Sequence, residues 1–248
     1  MANGKVIYDG PSLLDGEPII VVVTGLEKSS SNGKTGAMLQ TWILLRDIDP
    51  REANKSGADY AICGDCPHRG VAHTGIDTVL AYKRACYVII YQAPLKVWKT
   101  FHKGGYDYIE GTAEIADIGQ QGIVRMGSYG DPAAVPAYVW KALLANASGH
   151  TGYSHQSDKP EAAFDADMFM VSADSLDHAR KSWDKNQRTF RTIKSTDELV
   201  KGTEILCPAS KEAGMKTNCA NCKLCSGSAI NAKSIAIVAH GNGAKYAT

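Results

Sequence analysis

The sequence predicts an α/β protein with mainly parallel strands, built as a (β/α) barrel that is incomplete or distorted and carries cysteine-rich loops. From residue 86 onward, apolar strand patterns alternate with helical ones, and this order implies parallel pairing through βαβ crossovers. The number of strand patterns and the length of 248 residues also suit a barrel of the TIM type. An open doubly wound sheet is the alternative, but no Gly-rich dinucleotide turn follows an early strand.

The first 60 residues are a β-rich N-terminal part. Apolar runs at 19–25 and 40–47 predict two strands on either side of the polar segment 27–36. After them the sequence predicts strands at 86–92, 122–127, 150–155, 168–173, 188–194, 204–207 and 234–240. Linkers are short and no shift in composition marks a boundary, so we expect one domain over 1–248.

The predicted helices cover 94–102, 132–147, 175–185 and, as a short turn, 197–200. Pro94 suits the first turn of its helix, because the backbone N–H that proline lacks would have no partner within the helix at that position. In the second helix Val135, Val139 and Leu143 recur at helical spacing, which predicts one buried face. Asp174 is a candidate N-cap for the third helix.

Charge and hydropathy exclude several classes of protein. With 27 Lys and Arg against 26 Asp and Glu, the net charge of +1 argues against a nucleic-acid protein that relies on a broad basic face. A local basic patch remains compatible with it, and Lys34 and Arg125 are candidates for anion binding. Because no run approaches the roughly 20 apolar residues of a membrane span and no signal peptide is evident, we expect a cytoplasmic protein without membrane association.

Four cysteines near the C-terminus form the strongest motif: Cys207, Cys219, Cys222 and Cys225, hereafter the four-cysteine set. Residues 219–225 spell C-x2-C-x2-C, a run that wraps three thiolates around one centre, and bacterial ferredoxins combine it with a Cys-Pro pair to hold iron–sulfur clusters. Here the Cys-Pro pair at 207–208 precedes the run. Four thiolates also describe a structural zinc site. We therefore expect 207–233 to be a metal-binding insertion that holds iron–sulfur or zinc.

Three further cysteines, Cys63, Cys66 and Cys86, are the three-cysteine set. Three thiolates can hold a four-iron cluster and leave one iron open, which is what radical S-adenosylmethionine chemistry requires. A closed zinc site with His68 or His73 as fourth ligand is an alternative. A redox-active pair of Cys63 and Cys66 is another, although such pairs normally belong to a thioredoxin fold.

Polar residues follow several predicted strands. They stand at 128–131, 154–156 and 172–174, and Cys207 and His240 close two more strands. Because the carboxyl ends of parallel strands meet at one edge, we expect Asp131, His155 and His240 to share a pocket. Asp131 and His155 are the candidate catalytic residues, for positioning a substrate or moving protons. Turn and cap formation is the alternative role for each of them.

Six motifs between residues 30 and 241 resemble an uncharacterised family of phage-borne, cysteine-rich proteins. They are Asn-Gly-Lys-Thr-Gly at 32–36 before Gln-Thr-Trp-Ile-Leu at 40–44, Cys-Gly-Asp-Cys-Pro at 63–67, Cys-Tyr-Val at 86–88, Gly-Ser-Tyr-Gly-Asp-Pro at 127–132, Thr-Gly-Tyr-Ser-His at 151–155, and Cys-Pro-Ala-Ser at 207–210. The chain is also distantly similar to phage radical-SAM-like barrels, whose cysteine run ends in Cys-Tyr. It departs from them because the signature C-x3-C-x2-C is absent.

The resemblance implies a barrel, [4Fe–4S] clusters on the cysteines and possible use of S-adenosylmethionine, in a host cytoplasm if the protein is phage-encoded. The leading hypothesis is therefore a radical-SAM-like iron–sulfur enzyme that acts on a small molecule, a nucleotide or a nucleic acid during phage growth. In this hypothesis the three-cysteine set holds the reactive cluster and the four-cysteine set an auxiliary one. The rival is a zinc-stabilised binding or interaction protein without catalytic chemistry. Nothing in the sequence identifies a protein partner.

Overall fold

The computed structural model describes residues 3–30, 32–75 and 80–247 of the chain. Within these ranges the strands are β1 (Gly4–Pro11), β2 (Pro18–Thr24), β3 (Met38–Leu45), β4 (Asp107–Tyr108), β5 (Ile123–Tyr129), β6 (Gly149–Thr151), β7 (Tyr153–Ser154), β8 (Met170–Ala173), β9 (Thr189–Ile193), β10 (Glu204–Leu206) and β11 (Ser234–Val238). The α-helices are α1 (Pro50–Ser56), α2 (Tyr60–Cys63), α3 (Ala93–His102), α4 (Thr112–Gln120), α5 (Ala137–Leu144), α6 (Leu176–Asp184) and α7 (Cys219–Cys222).

The strands form two sheets. The first has the order β4-β1-β2-β3-β5-β6, in which β1, β2 and β3 are an antiparallel meander and the remaining pairs are parallel. The second sheet, β10-β11-β9-β8-β7, is parallel throughout. In β2 the five residues from Ile19 to Val23 are fully buried. A β-branched run of this kind suits a strand that is covered on both faces.

Gly152 joins the two sheets. It is the one residue between β6 and β7, so a single segment pairs with β5 at its start and with β8 at its end. A Cβ atom at Gly152 would lie 2.8 Å from Met126 Cε and 2.9 Å from Phe169 Cδ1, so a larger residue would have no room. As a result, the carboxyl ends of β5, β7, β8, β9 and β11 face the same side of the molecule.

Two apolar clusters hold the fold together. The larger lies on the first sheet and includes the fully buried Trp140 and Phe169. The smaller lies on the second sheet, where Met170, Ile235 and Ile237 pack with Cys207 and Cys225. Two thiols of the four-cysteine set are thus part of a hydrophobic core, which fixes their positions.

The predicted α/β class with parallel-rich sheets is confirmed. Closure into a barrel is not seen in the described residues, where β4 and β10 end their sheets without a further neighbour. The barrel stays a prediction, and so does the single domain over 1–248. Among the described helices, none has the length and apolar character needed to cross a bilayer.

Several predicted elements differ from the structure. Residues 86–92 form turns and no strand, because Cys86 N–H bonds the His68 carbonyl at 2.9 Å in place of a neighbouring strand. The predicted helix over 132–147 divides into a 3-10 turn, Pro132–Ala134, and α5. The division occurs because Pro136 cannot continue the first turn and stands at the N-cap of α5. The N-cap of α6 is Ser175, whose Oγ accepts the His178 N–H at 3.1 Å, and not Asp174.

Candidate functional site

A cavity of about 310 Å³ lies at the carboxyl ends of the parallel strands. Its size is at the lower end of the range of about 300–1,000 Å³ that small-molecule sites occupy. The residues that follow β5, β7 and β11 line it, among them Asp131, His155 and His240. Cys63, Cys66 and Cys86 line it together with Cys207 and Cys219. The three candidate residues at strand ends, the three-cysteine set and part of the four-cysteine set therefore meet at one space.

The three-cysteine set is assembled from two short loops. Cys63 ends α2, and Cys66 precedes a 3-10 turn at Pro67–Arg69. The His68 carbonyl accepts the N–H groups of Ala85 and Cys86 at 3.1 and 2.9 Å, and this attaches the loop of Cys86 to the first two cysteines. All three thiols are partly exposed, and none is in a disulfide.

The thiols of this set are held in a poorly solvated pocket. Burial raises the pKa of Cys63 well above its usual value, and the negative groups of Asp59, Cys66 and Cys86 raise it further. Burial also raises the pKa of Cys86. Neighbouring thiolates repel one another unless a cation lies between them. Because metals bind the thiolate form, loading this set with a metal ion would release protons.

Tyr129 places a buried hydroxyl beside the same set. Its Oη has no hydrogen-bond partner among the described residues. Burial raises the pKa of Tyr129 well above its usual value, and the neighbouring Cys63 raises it further. A buried hydroxyl without a partner is costly, so this atom indicates that the pocket takes up a further polar group.

The four-cysteine set is joined to both sheets. Cys207 follows β10 and donates its N–H to the Ala236 carbonyl of β11 at 2.8 Å. Cys219 and Cys222 are the two ends of α7, and the Cys219 N–H bonds the Lys34 carbonyl at 3.0 Å in the loop before β3. The Cys225 carbonyl accepts the Gly152 N–H at 3.0 Å. The set thus stands where the two sheets meet.

Cys225 is the most perturbed thiol of the four. Burial raises its pKa to about 12, although the Tyr153 hydroxyl donates a hydrogen bond to its sulfur and acts in the opposite direction. The nearby Cys207, Cys219 and Cys222 raise the pKa as well. The set therefore gathers its four sulfur atoms close enough to influence one another.

The spacing of the sulfur atoms can be compared with that of a zinc site. Four thiolates on one zinc ion lie about 3.8 Å apart, as follows from a Zn–S bond of about 2.3 Å and tetrahedral geometry. Within the described residues, no three cysteine sulfurs come within 4.8 Å of one another. In every such group of three, at least one pair is thus further apart than two thiolates on one tetrahedral zinc ion.

Asp131 is fully engaged by neighbouring donors. One carboxylate oxygen accepts the Ala133 N–H at 3.0 Å, and the other accepts the His155 N–H at 2.7 Å and the Gln156 Nε2 at 3.3 Å. Burial raises its pKa, while these hydrogen bonds and the positive charge of His155 act against the rise. A carboxylate bound in this way holds the backbone that carries His155. We infer a positioning role for Asp131.

Asp131→Asn is expected to destabilise the fold by about 2–3 kcal/mol, because the new NH₂ group faces N–H donors and leaves at least one of them unpaired. Urea unfolding measures the change. Asp167→Asn, at an exposed position, is the matched control and should stay within about 0.5 kcal/mol of the parent. Equal unfolding midpoints for the two variants would contradict the positioning role.

His155 lies between the three-cysteine set and the second sheet. Burial lowers its pKa, but the Cys66 thiolate and contacts with Asp174 and Cys66 outweigh this effect and raise the pKa well above its usual value. Its Nδ1 lies 2.9 Å from Asp174 Oδ1. Its ring meets that of His68 edge to face, with 5.6 Å between centroids.

Two cations face the other end of the cavity. Arg125 is only 9% exposed, and its Nη2 donates to the hydroxyl of Tyr87. Lys34 Nζ lies 3.2 Å from His240 Nε2. Within the described ranges, neither cation pairs with a carboxylate. Burial disfavours the charge of Arg125, yet neighbouring Tyr87, Tyr153, Cys219 and Cys225 raise its pKa.

Sequence reasoning missed Tyr153 as part of the site, and it grouped Tyr129 and Asp174 with the strand-end residues without assigning either a role in the site. Each stands in or directly after a predicted strand, so strand ends were a usable signal for Asp174. For the tyrosines no local pattern distinguishes a cavity wall from ordinary core. His73, proposed as a zinc ligand, is not among the residues that line the cavity, whereas His68 is.

No family model, curated protein or solved structure matches this chain. The phage-borne resemblance and the radical-SAM-like assignment therefore stay predictions. Function has to be argued from the geometry of the cavity.

Proposed function

We propose that this protein is an iron–sulfur enzyme that holds one cluster on each cysteine set, at the wall of a shared substrate cavity. The observation that carries the proposal is that the whole three-cysteine set, two members of the four-cysteine set and the polar residues at the strand ends line the same 310 Å³ space. Structural metals normally fasten loops and are closed by four protein ligands. A metal site that faces a ligand-sized cavity is more consistent with a catalytic role than with a structural one.

The three-cysteine set is the reactive one in this proposal. Cys63, Cys66 and Cys86 supply three thiolates, which leaves one iron of a [4Fe–4S] cluster without a cysteine. There the amino and carboxylate groups of S-adenosylmethionine would chelate the open iron, and the cluster would supply the electron for radical chemistry. The side chains around the cluster site contribute two further features. The pocket excludes water from Cys63, and Asp131 holds the loop that carries His155.

The four-cysteine set would hold an auxiliary cluster. Cys207 and Cys225 are buried among apolar side chains of the second sheet, and burial of this kind tunes the reduction potential of a cluster. Arg125 stands beside Cys219 and Cys225, where its positive charge would offset the negative charge of a thiolate-bound cluster. Both features support electron supply as the role of this set.

The cations of the cavity favour an anionic substrate. Arg125 is buried and Lys34 lies at the same wall, and neither has a carboxylate partner among the described residues. A buried guanidinium is a preferred binder of phosphate, because it offers paired donors in a plane. This agrees with the resemblance, which implies a nucleotide or nucleic-acid substrate.

Anaerobic loading with ferrous iron and sulfide tests the proposal. We expect about eight irons per chain in two four-iron clusters, a brown colour and broad absorption near about 400 nm. Serine substitution of all three cysteines of the first set should remove about half of the iron, and so should serine substitution of the four-cysteine set. Ser172→Ala, at a cavity position without a thiol, is the control and should keep all of it.

Calorimetry adds a second measurement. The loaded parent should bind S-adenosylmethionine, and the variant without the three-cysteine set should not. A colourless protein with stoichiometric zinc would overturn the proposal and favour the zinc-stabilised binding protein. Sulfide that stays bound after loss of both sets would overturn it as well, because it would place a cluster on other ligands.

A further inference from the structure

Three side chains near the cavity form a second type of metal-ligand group. His68, His155 and Asp174 each offer one ligand atom, and these three atoms all lie within 4.8 Å of one another. Among the described residues they are the one group of three or more histidine, cysteine and carboxylate side chains that is this compact. The group contains no thiolate.

Two polar atoms of this group lie at ion-pair distance. His155 Nδ1 and Asp174 Oδ1 are 2.9 Å apart and buried, yet among the described residues neither has a well-aligned hydrogen-bond partner. Two ligands at about 2.1 Å from one ion lie about 3.0 Å apart at a right angle and about 3.4 Å apart at the tetrahedral angle. The spacing of the two atoms is therefore compatible with neighbouring ligands of one ion.

The backbone fixes each of the three residues. His155 and Asp174 directly follow β7 and β8, which are paired neighbours in the second sheet. The His155 N–H is held by Asp131 at 2.7 Å. His68 lies in the 3-10 turn at Pro67–Arg69, and its carbonyl is bonded by two N–H groups of the loop at 85–86. Ligands on such supports need little rearrangement to bind an ion.

The donor set selects the class of ion. Two imidazoles and one carboxylate on one side of an ion, with open positions opposite, are typical of non-haem ferrous sites. His68 and His155 also line the cavity, so open positions can face a substrate. Thiolate sets prefer soft or borderline metals, whereas nitrogen and oxygen ligands accept harder ones such as Mn²⁺.

We propose that His68, His155 and Asp174 bind one divalent cation, Fe²⁺ or Mn²⁺, at a mononuclear site beside the three-cysteine set. This site is separate from the proposed clusters and does not depend on them. It assigns His155 the role of a ligand, with Asp131 as the residue that positions it.

Titration of the anaerobically purified full-length chain with Mn²⁺ tests the site, since Mn²⁺ discriminates against thiolates. Free Mn²⁺ is followed by its electron paramagnetic resonance signal, which is lost on binding. We expect one Mn²⁺ per chain. Asp174→Asn and His68→Ala should each weaken binding about 100-fold or more, beyond the 10–100-fold typical of groups that only orient a ligand.

Asp177→Asn is the matched control, because this carboxylate is exposed in the first turn of α6, three residues from Asp174. It should bind Mn²⁺ as the parent does. Sulfide content after cluster loading should be unchanged in Asp174→Asn, and circular dichroism should show that the variant is folded. This combination would establish a site distinct from the cysteine sets.

Three results would overturn the proposal. One is the absence of Mn²⁺ binding to the parent, which would leave a charged His155–Asp174 pair as the explanation of the 2.9 Å contact. Another is equal Mn²⁺ affinity in the parent and in folded Asp174→Asn. The last is a joint loss of Mn²⁺ and cluster iron in Asp174→Asn, which would make the three residues part of the cysteine site. If the clusters do not load at all, the Mn²⁺ titrations of the parent, Asp174→Asn and His68→Ala still decide the proposal.

Discussion

Glu204→Gln is expected to cost about 3–5 kcal/mol of unfolding free energy, because it leaves the buried Arg191 with only the exposed and more distant Glu198 carboxylate, at 4.0 Å. Arg191 on β9 and Glu204 at the start of β10 are 4% and 2% exposed. Their contact is bidentate, with Nε to Oε1 at 2.9 Å and Nη2 to Oε2 at 2.7 Å. Glu204 Oε2 also accepts the Val200 N–H at 2.9 Å, so an amide NH₂ at that position would face two donors.

Loss of this ion pair also affects the four-cysteine set, because Cys207 directly follows β10. We therefore expect weaker metal loading of the four-cysteine set along with the lower unfolding midpoint in urea. Asp158→Asn is the control: its contact with Lys185 at 3.2 Å is exposed, and such pairs contribute about 0–1 kcal/mol. A Glu204→Gln midpoint within the range of this control would show that the buried pair does not stabilise the second sheet.

Much of the second half of the chain can be predicted from local pattern. Helix α3 lies within one residue of its prediction at 94–102, and β8, β9 and β11 lie inside their predicted ranges. Alternating strands and helices also predict a common edge for the strand ends. Asp131, His155 and His240 do line one cavity, because parallel pairing of short strands leaves few other arrangements.

The pairing of distant loops is not encoded locally. The apolar run at 86–92 has the pattern of a strand. Tyr87, Ile89 and Tyr91 are nevertheless exposed outside both sheets, because the Cys86 N–H bonds the His68 carbonyl and not a neighbouring strand. Nor does the sequence indicate that both cysteine sets meet at one cavity. That result depends on the turn at Gly152, where one segment passes from the first sheet to the second.

The same turn explains why the candidate site can combine different ligands. The first sheet, through β5, supplies Arg125, Tyr129 and the residues up to Asp131, whereas the second supplies the residues after β8 and β10. A segment shared by both sheets brings these groups to opposite walls of one space. Disruption at this junction should therefore affect both cysteine sets together.

Removal of metal from the four-cysteine set is expected to lower Tm by about 8–16 °C. A ligand present at a thousand times its Kd stabilises the native state by about 4 kcal/mol, and each kcal/mol moves Tm by about 2–4 °C in a chain of this size. The physical reason is that α7 has only four residues and that the apolar cluster of the second sheet holds only Cys207 and Cys225, so bound metal adds most of the links among the four cysteines.

Calorimetric scans of loaded and chelator-stripped protein under anaerobic conditions measure the shift. Cys222→Ser removes the partly exposed ligand and leaves the buried thiols of Cys207 and Cys225 in the core, so the folded chain should survive the change. In that variant, stripping should lower Tm by much less, since one of the four ligands is already gone. Met215→Leu, at an exposed position of the same segment, should behave as the parent. A parent Tm that is indifferent to metal would mean that the apolar contacts of the second sheet alone hold the segment, and that the four sulfur atoms do not share a metal centre.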